Sequence, residues 1–179
     1  MIISEIIAIV IGYLLGSIPS AYIAARLATG RDIRQMGGGN VGALNTFREV
    51  GAGAGIAVLL ADVGKGAAAV AIAYWLLDVP PLFVVLAGLA AVTGHMWSIF
   101  LKFSGGKGMG ATVGALGILM PLYGYWQGLA IFLGIILVPL IITHNVALST
   151  GIGLVFLPVV IWVGTKSSLY TRSFSNVQF

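Results

Sequence analysis

Fifty-eight consecutive residues, Gly108 to Thr165, contain no Asp, Glu, Lys or Arg. Such a run cannot coat a water-facing surface. As one helix it would extend about 87 Å, at ~1.5 Å per residue. The hydrocarbon core of a bilayer is about 30 Å thick and takes about 20 helical residues. The run is therefore expected to fold back on itself twice. Break signals stand at Pro121-Leu122-Tyr123-Gly124-Tyr125 and at Thr143-His144-Asn145. Ile6–Ala25 and Val79–Leu101 also lack these four residue types, and 50–77 is interrupted only by Asp62 and Lys65.

These runs predict an all-α, polytopic integral membrane helical bundle of six spans. The expected spans are 3–27, 51–77, 81–99, 109–123, 127–143 and 146–164. They form one membrane domain over 1–179, with a polar tail from about 165. The first span lacks a basic leading segment and follows Glu5, so it is not read as a removed signal peptide. Charged residues are 8% of the chain, against roughly 25% in soluble domains. That excludes an ordinary soluble enzyme, a disordered chain and a DNA-binding module. The net charge of +4 fits basic cytoplasmic loops better than nucleic acid. With no Cys and two His, neither a thiolate site nor a metal centre is expected.

Basic residues also set the orientation. Arg26, Arg31, Arg34 and Arg48 surround the loop after the first span, and Lys102 and Lys107 occupy the loop after the third. Asp78-Val79-Pro80-Pro81 and 123–127 have none. The N-terminus is expected outside and the two basic loops inside. Lys166 and Arg172 then fall outside, a mild violation.

Both basic loops are rich in glycine. The first runs from Arg31 through Gly37-Gly38-Gly39-Asn40-Val41-Gly42 to Asn45 and Arg48. Gly37, Gly39 and Gly42 have dinucleotide-fingerprint spacing, but no strand precedes them and no βαβ unit follows. Successive glycines can still aim backbone N–H groups at an anion, and Arg and Asn side chains suit phosphate oxygens. The alternative is a flexible connector with orientation-setting arginines. The second loop reads Ser104-Gly105-Gly106-Lys107-Gly108-Met109-Gly110-Ala111-Thr112. It is not a Walker loop, because Gly follows Lys107. It nevertheless joins free N–H groups, a helix N-terminus and an ammonium, which suits phosphate. The alternative is a basic turn capping an apolar helix. Asp62 and Lys65 lie three apart, on one helical face. They are either a neutralised structural pair or functional intramembrane charges. His95 and His144-Asn145 sit at inner span ends, as structural hydrogen bonders or as catalysts. Neither a G-x-S-x-G elbow nor an H-E-x-x-H helix is present.

Gly16-Ser17-Ile18-Pro19-Ser20-Ala21-Tyr22, followed by Asp32-Ile33-Arg34 and Gly37 to Arg48, resembles the first signature of the bacterial acyl-phosphate:glycerol-3-phosphate acyltransferases, the PlsY family. Asp62-x-x-Lys65-Gly66 resembles the next block, and Gly94-His95 to Thr112 is similar to the family's glycine-rich phosphate loop. Asn145 to Ser149 is similar to its inner loop before the sixth helix. The resemblance covers roughly 12–155.

It implies an inner-membrane enzyme that moves a fatty acyl group from acyl phosphate to the 1-position of glycerol 3-phosphate, giving lysophosphatidic acid without metal, CoA or other cofactor. Arg34, Arg48, Gly105, Gly106, Lys107, Gly108 and Thr112 are then candidates for holding phosphate. His95, Asn40 and Asn45 are candidates for catalysis, with Asp62–Lys65 as a structural pair. The proton acceptor stays open between His95 and a substrate phosphate. Two departures stand out. Gly38 occupies a position that is usually Ser in the family, and the usual seventh span with its Arg-His-Arg-x-Asn segment has no counterpart. The chain is accordingly expected to be truncated or divergent at its C-terminus. A catalytically weak paralogue, or a binding or transport protein for a small phosphorylated metabolite, are the competing readings.

Overall fold

The structure, a computed structural model, describes residues 2–166. Its α-helices are α1 Ile2–Ser17, α2 Ser20–Thr29, α3 Ala43–Glu49, α4 Ala52–Ala71, α5 Pro81–Met96, α6 Met109–Leu122, α7 Trp126–Thr143 and α8 Val146–Lys166. A π-helical turn, Ile72–Leu76, extends α4, and a 3₁₀ turn, Ile99–Leu101, follows α5. The fold is all-α and polytopic, and no strand occurs among the described residues. Four segments are each long and apolar enough to cross a bilayer: Ile2–Thr29, Ala52–Leu76, Pro81–Leu101 and Trp126–Thr143. Met109–Leu122 is a shorter apolar helix, and Gly151–Val160 is an apolar stretch of α8. The expected tail beyond 166 lies outside the described residues.

Two elements differ from the sequence expectation. The first span is not one helix. Proline has no N–H, its ring clashes with the preceding turn, and it disfavours helical geometry in the residue before it. The chain accordingly leaves α1 at Ser17 and re-enters a helix at Ser20, with Pro19 at the N-cap. The second difference is α3, a seven-residue helix inside the segment read as a loop. Its length is under two full turns, too short for an apolar period to register.

The helices fall into two compact units, residues 1–116 and 117–179. In the first, α1 and α5 meet backbone to backbone through glycines. A Cβ on Gly12 or Gly16 would overlap the carbonyls of Ala87 and Ala91, and one on Gly94 would overlap that of Tyr13. Small residues allow this close approach between helices in lipid. Likewise Gly66 lies on the Ala111 carbonyl and Gly114 on that of Val63, bringing α4 and the start of α6 together. In the second unit α7 packs on α8, with Gly153 against Ile136 and Phe132, and Tyr125 Oη donating to the Val160 carbonyl at 2.7 Å.

Candidate active site

The break at Pro19 leaves the carbonyls of Ser17 and Ile18 outside the regular helical ladder, where side chains reach them. Ser98 Oγ donates to the Ser17 carbonyl at 2.5 Å, and Lys65 Nζ donates to the Ile18 carbonyl at 3.0 Å. Lys65 also pairs with Asp62 Oδ1 at 2.8 Å, one helical turn back on α4. The same oxygen accepts from Ser20 Oγ at 2.6 Å and lies 3.5 Å from His95 Nδ1. That last separation is in ion-pair range but longer than a hydrogen bond, and Nδ1 makes none. Asp62, Lys65 and His95 are all buried, at 3%, 8% and 6% exposure. Buried charge is costly unless it is paired and hydrogen-bonded. Here one carboxylate oxygen gathers a lysine, a hydroxyl and an imidazole from three separate helices.

A narrow cleft opens onto this group, lined by 16–20, Val41, Asp62, Lys65, His95, Ser98, Leu101 and Gly105. Both glycine-rich loops reach it. Gly106 N donates to the His95 carbonyl at 3.0 Å, clipping the second loop to the end of α5. A Cβ on Gly106 would overlap both His95 Nε2 and the Val41 carbonyl, so the imidazole, the second loop and the first loop are in contact there. Gly108, at φ +78°, turns the chain into α6 in the left-handed region that favours glycine.

The first loop is a packed element, which removes the flexible-connector reading. Ile33, Met36 and Val41 are buried with Ala21, Ala25, Val58 and Leu101 in one cluster. Asn45 organises it. Its Nδ2 donates to the carbonyls of Met36 at 3.0 Å and Asn40 at 3.1 Å, while its Oδ1 accepts from Gly38 N at 3.2 Å. The Asn45 side chain, a candidate for catalysis, is thus engaged with loop backbone. Asn40 is half-buried on the loop, next to Val41.

Three of the phosphate-binding candidates have partners within the protein. Arg34 forks onto Asp32, with Nη2 2.7 Å from Oδ2 and Nε 3.1 Å from Oδ1. It also lies 5.6 Å from the Tyr22 ring centroid, and Arg26 lies 5.3 Å from it, a cation–π distance in both cases. The Arg34 hydrogen bond holds the Asp32 carboxyl below its ordinary value. Thr112 Oγ1 donates to the Gly108 carbonyl at 2.9 Å, so its proton is committed to its own helix. The Gly106 N–H is likewise committed to His95, as described. Lys107 and Arg48 are exposed, at the start of α6 and the end of α3.

Sequence reasoning missed Ser17, Ser20 and Ser98 as site residues. For Ser17 and Ser20 the available signal was two polar residues flanking Pro19 inside an apolar run, where a helix break frees backbone groups that must be satisfied again. Among the described residues no group of three His, Cys, Asp or Glu could hold a metal ion.

This arrangement, a buried carboxylate–lysine–imidazole group beneath two glycine-rich loops in an apolar helical chain, can be set beside known proteins. The family model described as glycerol-3-phosphate acyltransferase matches residues 6–177. Glycerol-3-phosphate acyltransferase 1 of Dehalococcoides mccartyi is 56% identical over 163 residues, covering 91% of this chain and 78% of that protein. A glycerol-3-phosphate acyltransferase of Synechococcus is 40% identical over 173 residues, covering 95% and 82%. The crystal structure of PlsY (YgiH), an integral membrane glycerol 3-phosphate acyltransferase in its glycerol 3-phosphate form, superposes with a TM-score of 0.79. It is 27% identical, over 96% of this chain and 84% of that one. The chain belongs to the glycerol-3-phosphate acyltransferase family.

Proposed function

We propose that this protein transfers a fatty acyl group from acyl phosphate to the sn-1 hydroxyl of glycerol 3-phosphate. The products are lysophosphatidic acid and inorganic phosphate. The observation that carries this reading is the meeting of both glycine-rich loops at His95, above the buried Asp62. Family membership supports acyl transfer to glycerol 3-phosphate. The choice of acyl phosphate as donor is part of this proposal, and the site's chemistry is compatible with it. A mixed anhydride is already activated, so a covalent protein nucleophile is unnecessary, and neither Cys nor a serine elbow is present in the sequence.

Three tasks then remain: orienting the hydroxyl, stabilising the oxyanion and accepting a proton. Lys107 and the N–H groups opening α6 suit the phosphate charges. Arg48, which is also exposed, suits the glycerol 3-phosphate dianion. His95 Nε2, at the loop junction, accepts the hydroxyl proton. The hydroxyl oxygen forms the new ester bond to the acyl carbon. The bond from that carbon to phosphate oxygen breaks, its electron pair leaving with phosphate, and the imidazolium returns its proton to the departing phosphate. In this reading the basic loops face the cytoplasm of a bacterial inner membrane, and the N-terminus lies outside.

The test is purified protein in detergent with palmitoyl phosphate and glycerol 3-phosphate, with palmitoyl-CoA as a comparison donor. Lysophosphatidic acid and phosphate are expected in equal amounts from the acyl phosphate alone. Binding of both substrates by a folded sample without turnover overturns the reading. Lys107→Ala is expected to lower kcat/KM by about 30- to 1,000-fold, the equivalent of roughly 2–4 kcal/mol of lost charge stabilisation.

A further inference from the structure

We infer that Ser98 is a positioning residue for the second glycine-rich loop. It docks the turn that precedes this loop onto the end of α1, and so fixes where Lys107 and the N–H groups opening α6 stand. The inference rests on the acyl-transfer reading and extends it to a residue outside the phosphate contacts.

The turn that begins at Ser98 is held at both ends. Ser98 is buried, and its Oγ donates to the Ser17 carbonyl on α1 at 2.5 Å. One turn back on the same helix, Tyr13 Oη donates to the Trp97 carbonyl at 2.8 Å, in an exposed position where water can replace it. The Ser98 carbonyl accepts from Leu101 N at 3.2 Å and from Phe103 N at 2.8 Å. Leu101 packs in the cluster with Ile33, Met36 and Val41, so the same turn is fastened to the first loop. This anchoring holds a backbone that the local sequence does not favour. Lys102 and Phe103 both lie in the left-handed region, at φ 56° and 61°. A bulky residue there is an outlier, and it persists only where surrounding contacts over-determine it. The two strained residues lead the chain to Gly105, where a Cβ would overlap the carbonyls of His95 and Met96. They lead on to Gly106, whose N–H reaches the His95 carbonyl at 3.0 Å. Lys107 follows directly. The backbone bonds of Ser98 survive a change of side chain, but its hydroxyl is the buried link to α1. Without that link the strained turn is free to relax and to carry Lys107 with it. A displacement of about 1 Å at a reacting centre costs on the order of 100-fold in rate.

The chain contains no cysteine. Ser104→Cys, at an exposed position beside Gly105, therefore gives a single site for a spin label. With Ser98 in place, in detergent, the label is expected to give a slow-motion spectrum. Ser98→Ala is expected to add a mobile component to that spectrum. In unlabelled protein it is expected to lower kcat/KM for glycerol 3-phosphate by about 10- to 100-fold. Thr93→Ala is the control, since its hydroxyl bonds only within α5, to the Leu89 carbonyl at 2.9 Å. It is expected to leave the spectrum unchanged and kcat/KM within about twofold.

A double-mutant cycle separates positioning from general stability. Ser98→Ala/Lys107→Ala is expected to cost no more than about threefold beyond Lys107→Ala alone, because residues acting as a unit are not additive. Ser98→Thr keeps the hydroxyl and gives an independent arm. It is expected to hold the slow spectrum and to keep kcat/KM within about fivefold of wild type. An unchanged spectrum in Ser98→Ala overturns the inference, as does kcat/KM within about threefold of wild type. Fully additive losses overturn it too, and so does a Ser98→Thr protein no better than Ser98→Ala. Wild type that shows the slow spectrum but no turnover with acyl phosphate fails the acyl-transfer reading instead, so the two failures are distinguishable.

Discussion

Lys65 on α4 donates to the carbonyl of Ile18, at 3.0 Å, an oxygen that stands in the break between α1 and α2 and also accepts from Ser20 N at 3.1 Å. A helix break near the end of an apolar span thus supplies a second ligand for a buried ammonium. The first ligand is Asp62, and both side chains are almost wholly enclosed. Removing one partner of such a pair strands the other charge, whereas removing both replaces them with neutral packing. Lys65→Met alone is expected to destabilise the protein by about 3–5 kcal/mol. Asp62→Asn/Lys65→Met should return to within about 2 kcal/mol of wild type. Thermal unfolding in detergent, followed by tryptophan fluorescence, checks the order of the three proteins. A double variant less stable than Lys65→Met would contradict it.

Gly106 makes a separate demand on the site. A methyl group at this position meets the Val41 carbonyl and His95 Nε2, and neither lies at the end of a long flexible chain. Gly106→Ala is therefore expected to push the imidazole or the first loop aside. Displacements of about 1 Å at a reacting centre cost on the order of 100-fold in rate, and overpacking costs about 1–3 kcal/mol of stability. Gly53→Ala is the matched control. Gly53 is exposed within α4 and an added Cβ meets nothing within 4 Å. That change is expected to be neutral, or stabilising by up to about 1 kcal/mol through helix propensity. Steady-state kinetics and melting temperatures of the two variants separate the cases.

Much of the helical layout was legible because lipid imposes one strong rule. A chain with no charge for twenty residues or more must be helical and buried in lipid or protein. The fourth, fifth and sixth expected spans match α6, α7 and α8 to within two residues at each described end. The pairing of Asp62 with Lys65 followed from helical spacing alone. Other features depended on contacts distant in sequence. Whether the stretch with Ile33, Met36 and Val41 is a loose connector or a packed element is decided by Ala21, Val58 and Leu101, which come from three other segments. Asn45 stood as a candidate for catalysis, in a loop whose Arg and Asn side chains suit phosphate oxygens. Its actual partners are backbone carbonyls, which every residue possesses and no sequence pattern singles out. The serines around Asp62 were hidden by the same difficulty, since Ser20 and Asp62 are forty-two residues apart.

The Asp32–Arg34 contact makes stability depend on pH in a defined direction. Asp32 Oδ1 accepts from Arg34 N at 3.0 Å, capping the short turn that starts the first loop, and both carboxylate oxygens engage the guanidinium. The side-chain hydrogen bond from Arg34 lowers the folded-state pKa of Asp32 from its ordinary 3.8. A carboxyl with a depressed folded pKa contributes stability that is fully present above the unfolded value. That contribution is lost as pH falls through the folded value. Asp32→Asn is therefore expected to melt below wild type at pH 7. The gap should hold down to about pH 5 and narrow below about pH 4. A gap that widens as pH falls would contradict the assignment.

Gly38 is the position where this chain differs from the serine usual in the family it resembles. Its backbone already has a task, since Gly38 N donates to Asn45 Oδ1 at 3.2 Å. Its φ is not in the left-handed region, unlike those of Gly37 and Gly39 on either side. A Cβ built there meets no atom within 4 Å. Gly38→Ser should therefore fit without displacing the loop and change stability by less than about 0.5 kcal/mol. Gly38 is exposed, on a loop whose buried residues Ile33, Met36 and Val41 pack with Ala21 and Ala25 of α2 and Val58 of α4. A hydrogen bond from a hydroxyl to a charged group contributes about 1.5–3 kcal/mol. If that hydroxyl contacts the phosphate of glycerol 3-phosphate, kcat/KM rises by roughly 10- to 150-fold. The expected outcome is a rise of at least tenfold in kcat/KM for glycerol 3-phosphate, with the melting temperature unchanged. An unchanged kcat/KM in a folded variant would mean that this loop takes no part in holding the substrate phosphate through position 38.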